Sequence, residues 1–201
     1  LADVLATHSP TATNPIIRLE SPSSEHYFGT DNFGRDVFSR FLYGSRVSIF
    51  VGISSVTLAL VLGTLFGMFA GRKGGRWDGL VMRAMDVVLA FPLLVLVPVI
   101  TGVLGARGFR LGPLQIGPVP LVAVAIGLVL TPLFARIARA SVMGEMREDY
   151  VLAARSFGAR RRDVLFTNLL PNIMAPLIVQ AAFALATAIT IEAAVSFLGL
   201  G

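Results

Sequence analysis

Residues 47–70 read VSIFVGISSVTLALVLGTLFGMFA, 24 positions without a charge. At 1.5 Å per residue a helix of this length reaches about 36 Å, enough to cross a hydrocarbon core of roughly 30 Å. Three more stretches read the same way: residues 87–106, 119–138 and 173–191. The third is uncharged to Ala135 and continues past Arg136, whose long side chain can snorkel to the interface. Lipid offers no partner to backbone groups, so each stretch is expected to be a helix. The composition agrees, with 55% hydrophobic and only 14% charged residues, against about a quarter charged in soluble domains. The expected fold class is an all-α membrane protein, a polytopic helical bundle with four spans. Residues 1–46 are expected to form an extracytoplasmic segment and 47–201 a transmembrane domain.

Charge sets the orientation. Of the seventeen basic residues, eleven fall in residues 71–86 and 136–172. The positive-inside rule places those two segments in the cytoplasm, and residues 1–46, 107–118 and 192–201 outside. The net charge of +5 then reads as this bias rather than as a nucleic-acid surface. The N-terminus lacks the basic-then-apolar pattern of a secretory signal. With no cysteine, disulfides, thiolate metal sites and thiol nucleophiles are excluded. His8 and His26 both lie in the outer segment, so no paired-histidine metal site is expected on the spans. No phosphate-binding loop appears, so the chain itself is expected to bind no ATP.

Residues 28–48 read FGTDNFGRDVFSRFLYGSRVS. Thr30 or Asp31 can cap a helix, and Phe33, Val37 and Phe41 recur every four residues. The expectation is an interfacial amphipathic helix ahead of the first span. Within that span, Gly63, Gly67 and Gly71 form a small-residue stripe that lets helices approach closely, either inside the subunit or as a subunit-packing face toward a second one. GRKGGRWDG reads as a tight cytoplasmic turn. Pro92 and Pro98 interrupt the second span and Pro132 the third. With them, Thr101, Thr131, Thr187 and Thr190 are candidates for the lining of a translocation path. Glu192 is a further candidate, since acids near membrane depth are functional by default, although a place at a span's end favours its simply reaching water.

The cytoplasmic segment 139–172 holds the stretch EMREDYVLAARSFGARRRDVLFTNLLPN at 145–172, with nine charges in its first nineteen residues. It reads as two short helices around Gly158. Glu145, Glu148 and Asp149 suit the positive end of the first helix. Gly158 suits a left-handed helix end. The second helix is expected to run from Arg160 to Leu170 and stop at Pro171. Ala153, Ala154 and Phe157 make a small flat face with one aromatic knob, ringed by arginines, which is the surface of a helix that docks into a protein groove.

This stretch resembles the cytoplasmic EAA loop of ABC importer permeases, with Leu152-Ala153-Ala154, three residues, Gly158, and then Leu170-Pro171. Residues 29–48, DVVLAFPLL at 86–94 and SFLGLG at 196–201 are similar to the dipeptide/oligopeptide/nickel permeases. The sequence departs at Leu152, where the motif has Glu, and at Asn168, where the family often has His. The resemblance implies the type I ABC importer transmembrane fold, with four of six spans visible, in the plasma membrane of a prokaryote. It implies a permease subunit of an ATP-driven di- or oligopeptide importer that performs no chemical step. The implied partners are a second homologous permease, two cytoplasmic ATPase subunits that bind ATP and Mg, and an extracytoplasmic substrate-binding protein. Docking to the ATPase would fall to Glu148, Asp149, Tyr150, Ala153, Ala154, Arg155, Phe157, Gly158, Arg160, Arg161 and Arg162. The alternatives are an ion-coupled secondary transporter, for which only Glu192 offers an intramembrane acid, and a membrane scaffold without transport.

Overall fold

The computed structural model describes residues 2–105, 110–111, 114–115, 117–160 and 163–199. The chain divides into two compact units, Leu1–Phe50 and Val51–Gly201.

In the first unit, α1 (Ala2–Leu5) and a 3₁₀ turn at Pro15–Ile17 precede the start of α2 (Val37–Lys73). The expected interfacial helix is not separate: the helix begins at Val37 and runs straight on into the first span. The reason lies in the caps. Thr30 pairs with Asp36 in an isolated antiparallel bridge. Asp31 closes the intervening turn by accepting from the Phe33 and Arg35 main-chain N–H groups at 2.8 and 3.0 Å and from Arg35 Nε at 2.7 Å. Asp36 then caps α2, its Oδ2 accepting from Ser39 N at 2.7 Å. Burial pushes the Asp31 carboxyl up, but its hydrogen bonds from Arg35 and Phe33 outweigh that and hold it below the usual carboxylate range.

The second unit takes the rest of α2, then α3 (Gly75–Leu89), α4 (Leu93–Gly105), the two-residue strands β1 (Arg110–Leu111) and β2 (Leu114–Gln115) paired antiparallel, α5 (Pro118–Glu145), α6 (Asp149–Ser156) and α7 (Leu170–Phe197). Among the described residues, three helical stretches are long and apolar enough to cross a membrane: Val37–Lys73, Pro118–Glu145 and Thr167–Phe197. The expected second span, residues 87–106, falls on the end of α3 and on α4, a pair bent by 90° that makes up to a fourth span if counted as one. Pro92 sits at the break, and the residue before a proline is driven away from helical geometry. Alone, α4 has 13 residues, about 20 Å of rise and too short to span. The tight turn expected at GRKGGRWDG is confined to Gly74, after which α3 starts at once.

Helix α5 is the central element. In its most apolar window 72% is buried, against 39% for α2 and 22% for α7. It packs on α3, α4 and α7. Ile126, Leu130 and Phe134 on α5 are fully enclosed, with Val51, Val97 and Leu177 among their companions in one core. Lipid is as apolar as leucine, so burial alone does not bind such helices together; close packing and polar pairs must. Both are present. The glycine stripe of α2 lies against the α5 backbone: a methyl added to Gly63 would sit 2.7 Å from Thr131 O and 2.9 Å from Ala135 N, and one on Gly67 2.7 Å from Ala138 Cβ. The stripe therefore packs within this chain, and its reading as a face for a second subunit is corrected. Asp78 of α3 makes a two-pronged ion pair with Arg139 of α5, and Asp86 pairs with Arg136 at 2.6 Å. A cavity of about 370 Å³ lies under the α3–α4 bend, lined by Phe66, Met85, Phe91, Leu96, Ile100 and Pro132 among others.

Candidate functional site

The segment between α5 and α7 builds the site. Glu145 is the last residue of α5, not the start of a new helix. Helix α6 opens at Asp149, whose carboxylate lies in the first turn and complements the helix dipole. It ends at Ser156, and Gly158 follows with φ +80°, a conformation that penalises any side chain. The second helix expected from Arg160 is a π-helical segment, Val164–Leu169, that continues into α7 without a stop. Pro171 does not end it. Leu170 N–H reaches back to Leu165 O, and proline in the first turn of an α-helix removes no bond that the turn would make.

Helix α6 has two faces. Val151 is buried, and Tyr150 and Ala154 pack against the core of the second unit. The opposite side presents Leu152 at 51% exposure and Phe157 at 91%, with Ala153 also exposed. Of the small flat face read from the sequence, Ala153 and Phe157 point outward while Ala154 turns inward. Glu148, Asp149 and Arg160 are exposed around this apolar patch. Arg155 lies on α6, and Arg161 and Arg162 fall outside the described residues.

A polar clasp seats α6 on the ends of the two long helices. Tyr150 donates its hydroxyl proton to Glu145 Oε2 at the end of α5. Asn172, in the first turn of α7, donates to Tyr150 Oη at 2.8 Å and lies 3.4 Å from Glu145 Oε2. Burial, with the carboxylate of Glu145 accepting the hydroxyl proton, pushes the Tyr150 phenol above its usual range. The sequence reading missed Asn172. The available signal was an amide one turn into a helix whose preceding loop carries both a tyrosine and an acid.

The translocation candidates separate into two groups. Thr101 and Thr131 are buried, each hydroxyl donating to a carbonyl of its own helix: Val97 O at 3.1 Å and Gly127 O at 2.8 Å. Thr187 and Thr190 lie on the exposed face of α7, bonded to Phe183 O and Ala186 O. Glu192 is 6% exposed, so the expectation that it reaches water is corrected: it faces inward with Ile191 and Val195, the buried stripe of α7.

Residues 63–201 match the family described as "Binding-protein-dependent transport system inner membrane component". The chain belongs to that family. Its fold is the type I ABC importer transmembrane fold, and it is a multi-pass protein of the plasma membrane. The chain is 42% identical over 201 residues to the dipeptide transport system permease protein DppC of Alkalihalophilus pseudofirmus, covering all of this chain and 62% of that protein. It is 40% identical over 197 residues to the probable D,D-dipeptide transport system permease protein DdpC of Escherichia coli, covering 98% of this chain and 62% of that one. With the oligopeptide transport system permease protein OppC of Bacillus subtilis it shares 35% over 202 residues, again 62% of the relative. The chain thus spans about three fifths of the length of these curated relatives.

Proposed function

We propose that this chain is part of the permease subunit of an ATP-driven importer of di- or oligopeptides. The family and the transport systems named for its relatives support that reading. The observation that carries the mechanism is the exposed patch of α6, where Phe157 stands 91% exposed directly after the last residue of this short helix between two spans. An isolated exposed aromatic beside a left-handed glycine is a knob for a groove, and we assign the groove to a cytoplasmic ATPase subunit. Leu152, Ala153 and Phe157 make the contact. Glu148, Asp149, Arg155 and Arg160–Arg162 orient it, and Gly158 sets the turn. The Tyr150 clasp holds α6 to α5 and α7, so closure of two ATPase subunits on ATP and Mg would move the helix as a rigid body and reopen the membrane path to the other side. A second homologous permease completes the path, toward which Thr187 and Thr190 face, and an extracytoplasmic binding protein delivers the peptide. No chemical step falls to this chain, and it holds no cofactor.

The test is co-purification of the full-length permease with its ATPase subunit, comparing wild type with Ala153→Asp and Phe157→Asp. Both side chains are exposed, so neither variant disturbs the core. Retention by wild type and loss by both variants, with membrane insertion unchanged, is the expected result. Equal retention in all three would remove docking from α6. One observation favours a second reading: the burial of Glu192 on a membrane helix is what a gradient-driven carrier uses. Uptake that persists without ATP and collapses with the proton gradient would select it.

A further inference from the structure

We infer that His8, His26 and Asp36 form a binding site for one divalent transition-metal ion of the zinc class, independently of how the chain transports. The three residues come from separate stretches of the first unit, and their candidate ligand atoms all lie within 4.8 Å of one another. The two imidazole rings pack with centroids 4.6 Å apart. His26 Nδ1 and Asp36 Oδ1 are 2.9 Å apart. That spacing suits neighbouring ligands on one ion with bonds of about 2.0–2.2 Å. Two imidazole nitrogens and one carboxylate oxygen, without a thiolate, are a donor set that zinc accepts and that magnesium and calcium, which prefer oxygen, do not.

The supports of the site are also in place. Asp36 spends Oδ2 on the Ser39 N–H, which leaves Oδ1 turned to the imidazole. Ser39 Oγ in turn accepts from the main-chain N–H of His8 at 3.1 Å, so one buried serine fixes the backbone of one ligand and the carboxylate of another. His26 N–H donates to Ser23 Oγ at 3.0 Å. His26 and Asp36 are buried at 6% and 2% exposure, whereas His8 is exposed. The exposed member gives the ion an entry side and a position for water. A tetrahedral zinc site needs ligand atoms about 3.3 Å apart, and the exposed His8 ring can close on that spacing through its own side-chain rotations. Once bound, the ion replaces the proton shared by His26 and Asp36. It clips the N-terminal stretch to the start of α2, and cross-links that close long loops restrict the unfolded chain most.

The experiment uses the full-length permease in its assembled complex, stripped with chelator and titrated with zinc chloride by calorimetry, with magnesium chloride as the control. The comparison is wild type against His8→Gln and Asp36→Asn. Because His8 is exposed, His8→Gln leaves the fold intact, and Asp36→Asn keeps an oxygen that can cap α2 while removing the carboxylate. The expected result is one more zinc equivalent per permease chain in wild type than in His8→Gln, or an affinity at least tenfold weaker in that variant, and no response to magnesium. Zinc binding that is absent in wild type, or unchanged in His8→Gln, overturns the assignment and leaves a buried histidine–aspartate pair with a second ring stacked on it.

Discussion

Replacing Gly63 by alanine tests the packing of α2 on α5. The new methyl would meet Thr131 O at 2.7 Å and Ala135 N at 2.9 Å, and would also strike Phe134 Cβ. Ordinary contact begins at 3.4 Å, so the overlap at Thr131 is about 0.7 Å. None of the three atoms is the tip of a flexible chain: two belong to backbone and one is a Cβ. Relief requires the helices to separate, and a gap of 0.5–1 Å forfeits a quarter to a half of each dispersion contact along the seam. Overpacking of this kind costs about 1–3 kcal/mol. Helix propensity works the other way, since alanine is favoured over glycine by about 1 kcal/mol. Gly79→Ala isolates that term, because a methyl there meets nothing within 4 Å. The expected outcome is Gly63→Ala less stable than Gly79→Ala by about 1–3 kcal/mol, and less stable than wild type by up to about 2 kcal/mol. The assay is unfolding of the purified permease by titrated denaturing detergent, followed by helical circular dichroism. A Gly63→Ala protein as stable as Gly79→Ala would refute the close contact.

Four further outcomes are expected. Tyr150→Phe removes the two hydrogen bonds that its hydroxyl makes in the clasp, worth about 1–3 kcal/mol together; transport should fall several-fold while insertion is unchanged, and normal uptake would deny the clasp a role. Gly158→Asp places a side chain at φ +80° at a strain of about 1 kcal/mol or more, and ATPase stimulation by substrate should drop in reconstituted vesicles. Asp78→Asn strands the partly buried Arg139, and the swap of Asp78→Arg with Arg139→Asp should restore part of the lost detergent resistance. Asp31 has a lowered native pKa, so its stabilising contribution is present above its unfolded value near 3.9 and disappears as pH falls through the lower native value. Acid titration of the ¹³C carboxyl signal should give a midpoint below that of an unfolded peptide of the same sequence, and an equal midpoint would remove the turn's hydrogen bonds from the account.

The spans were legible because an apolar run of bilayer length has few other readings. Their ends were not. The helix around residues 30–41 was placed too early because periodicity at Phe33, Val37 and Phe41 ignores hydrogen bonds across a turn; Asp36, between those apolar positions, is the cap. The interruption of the second span is legible in Pro92, but the size of the bend, 90°, is not, because composition registers length and not direction. Pro171 was read as a stop because proline in a helix interior is one. The α-helix that follows starts beside it, at Leu170. In the loop, the left-handed turn at Gly158 follows from residue type alone, but which alanine faces outward depends on the partner helices and cannot be counted from the sequence. His8 and His26 lie eighteen positions apart on an irregular segment with no period, so nothing in the pattern announced that their rings would touch.

The π-helical segment at Val164–Leu169 fuses the charged loop to α7. That junction turns a membrane span into an oar. From Leu170 to Glu192 the shaft has 22 residue-to-residue rises, about 33 Å, so a tilt of roughly 10° applied at the loop end sweeps the level of Glu192 through about 6 Å. A nudge at the α6 end is thereby magnified across the bilayer, and the blade of the oar carries the one buried acid of α7.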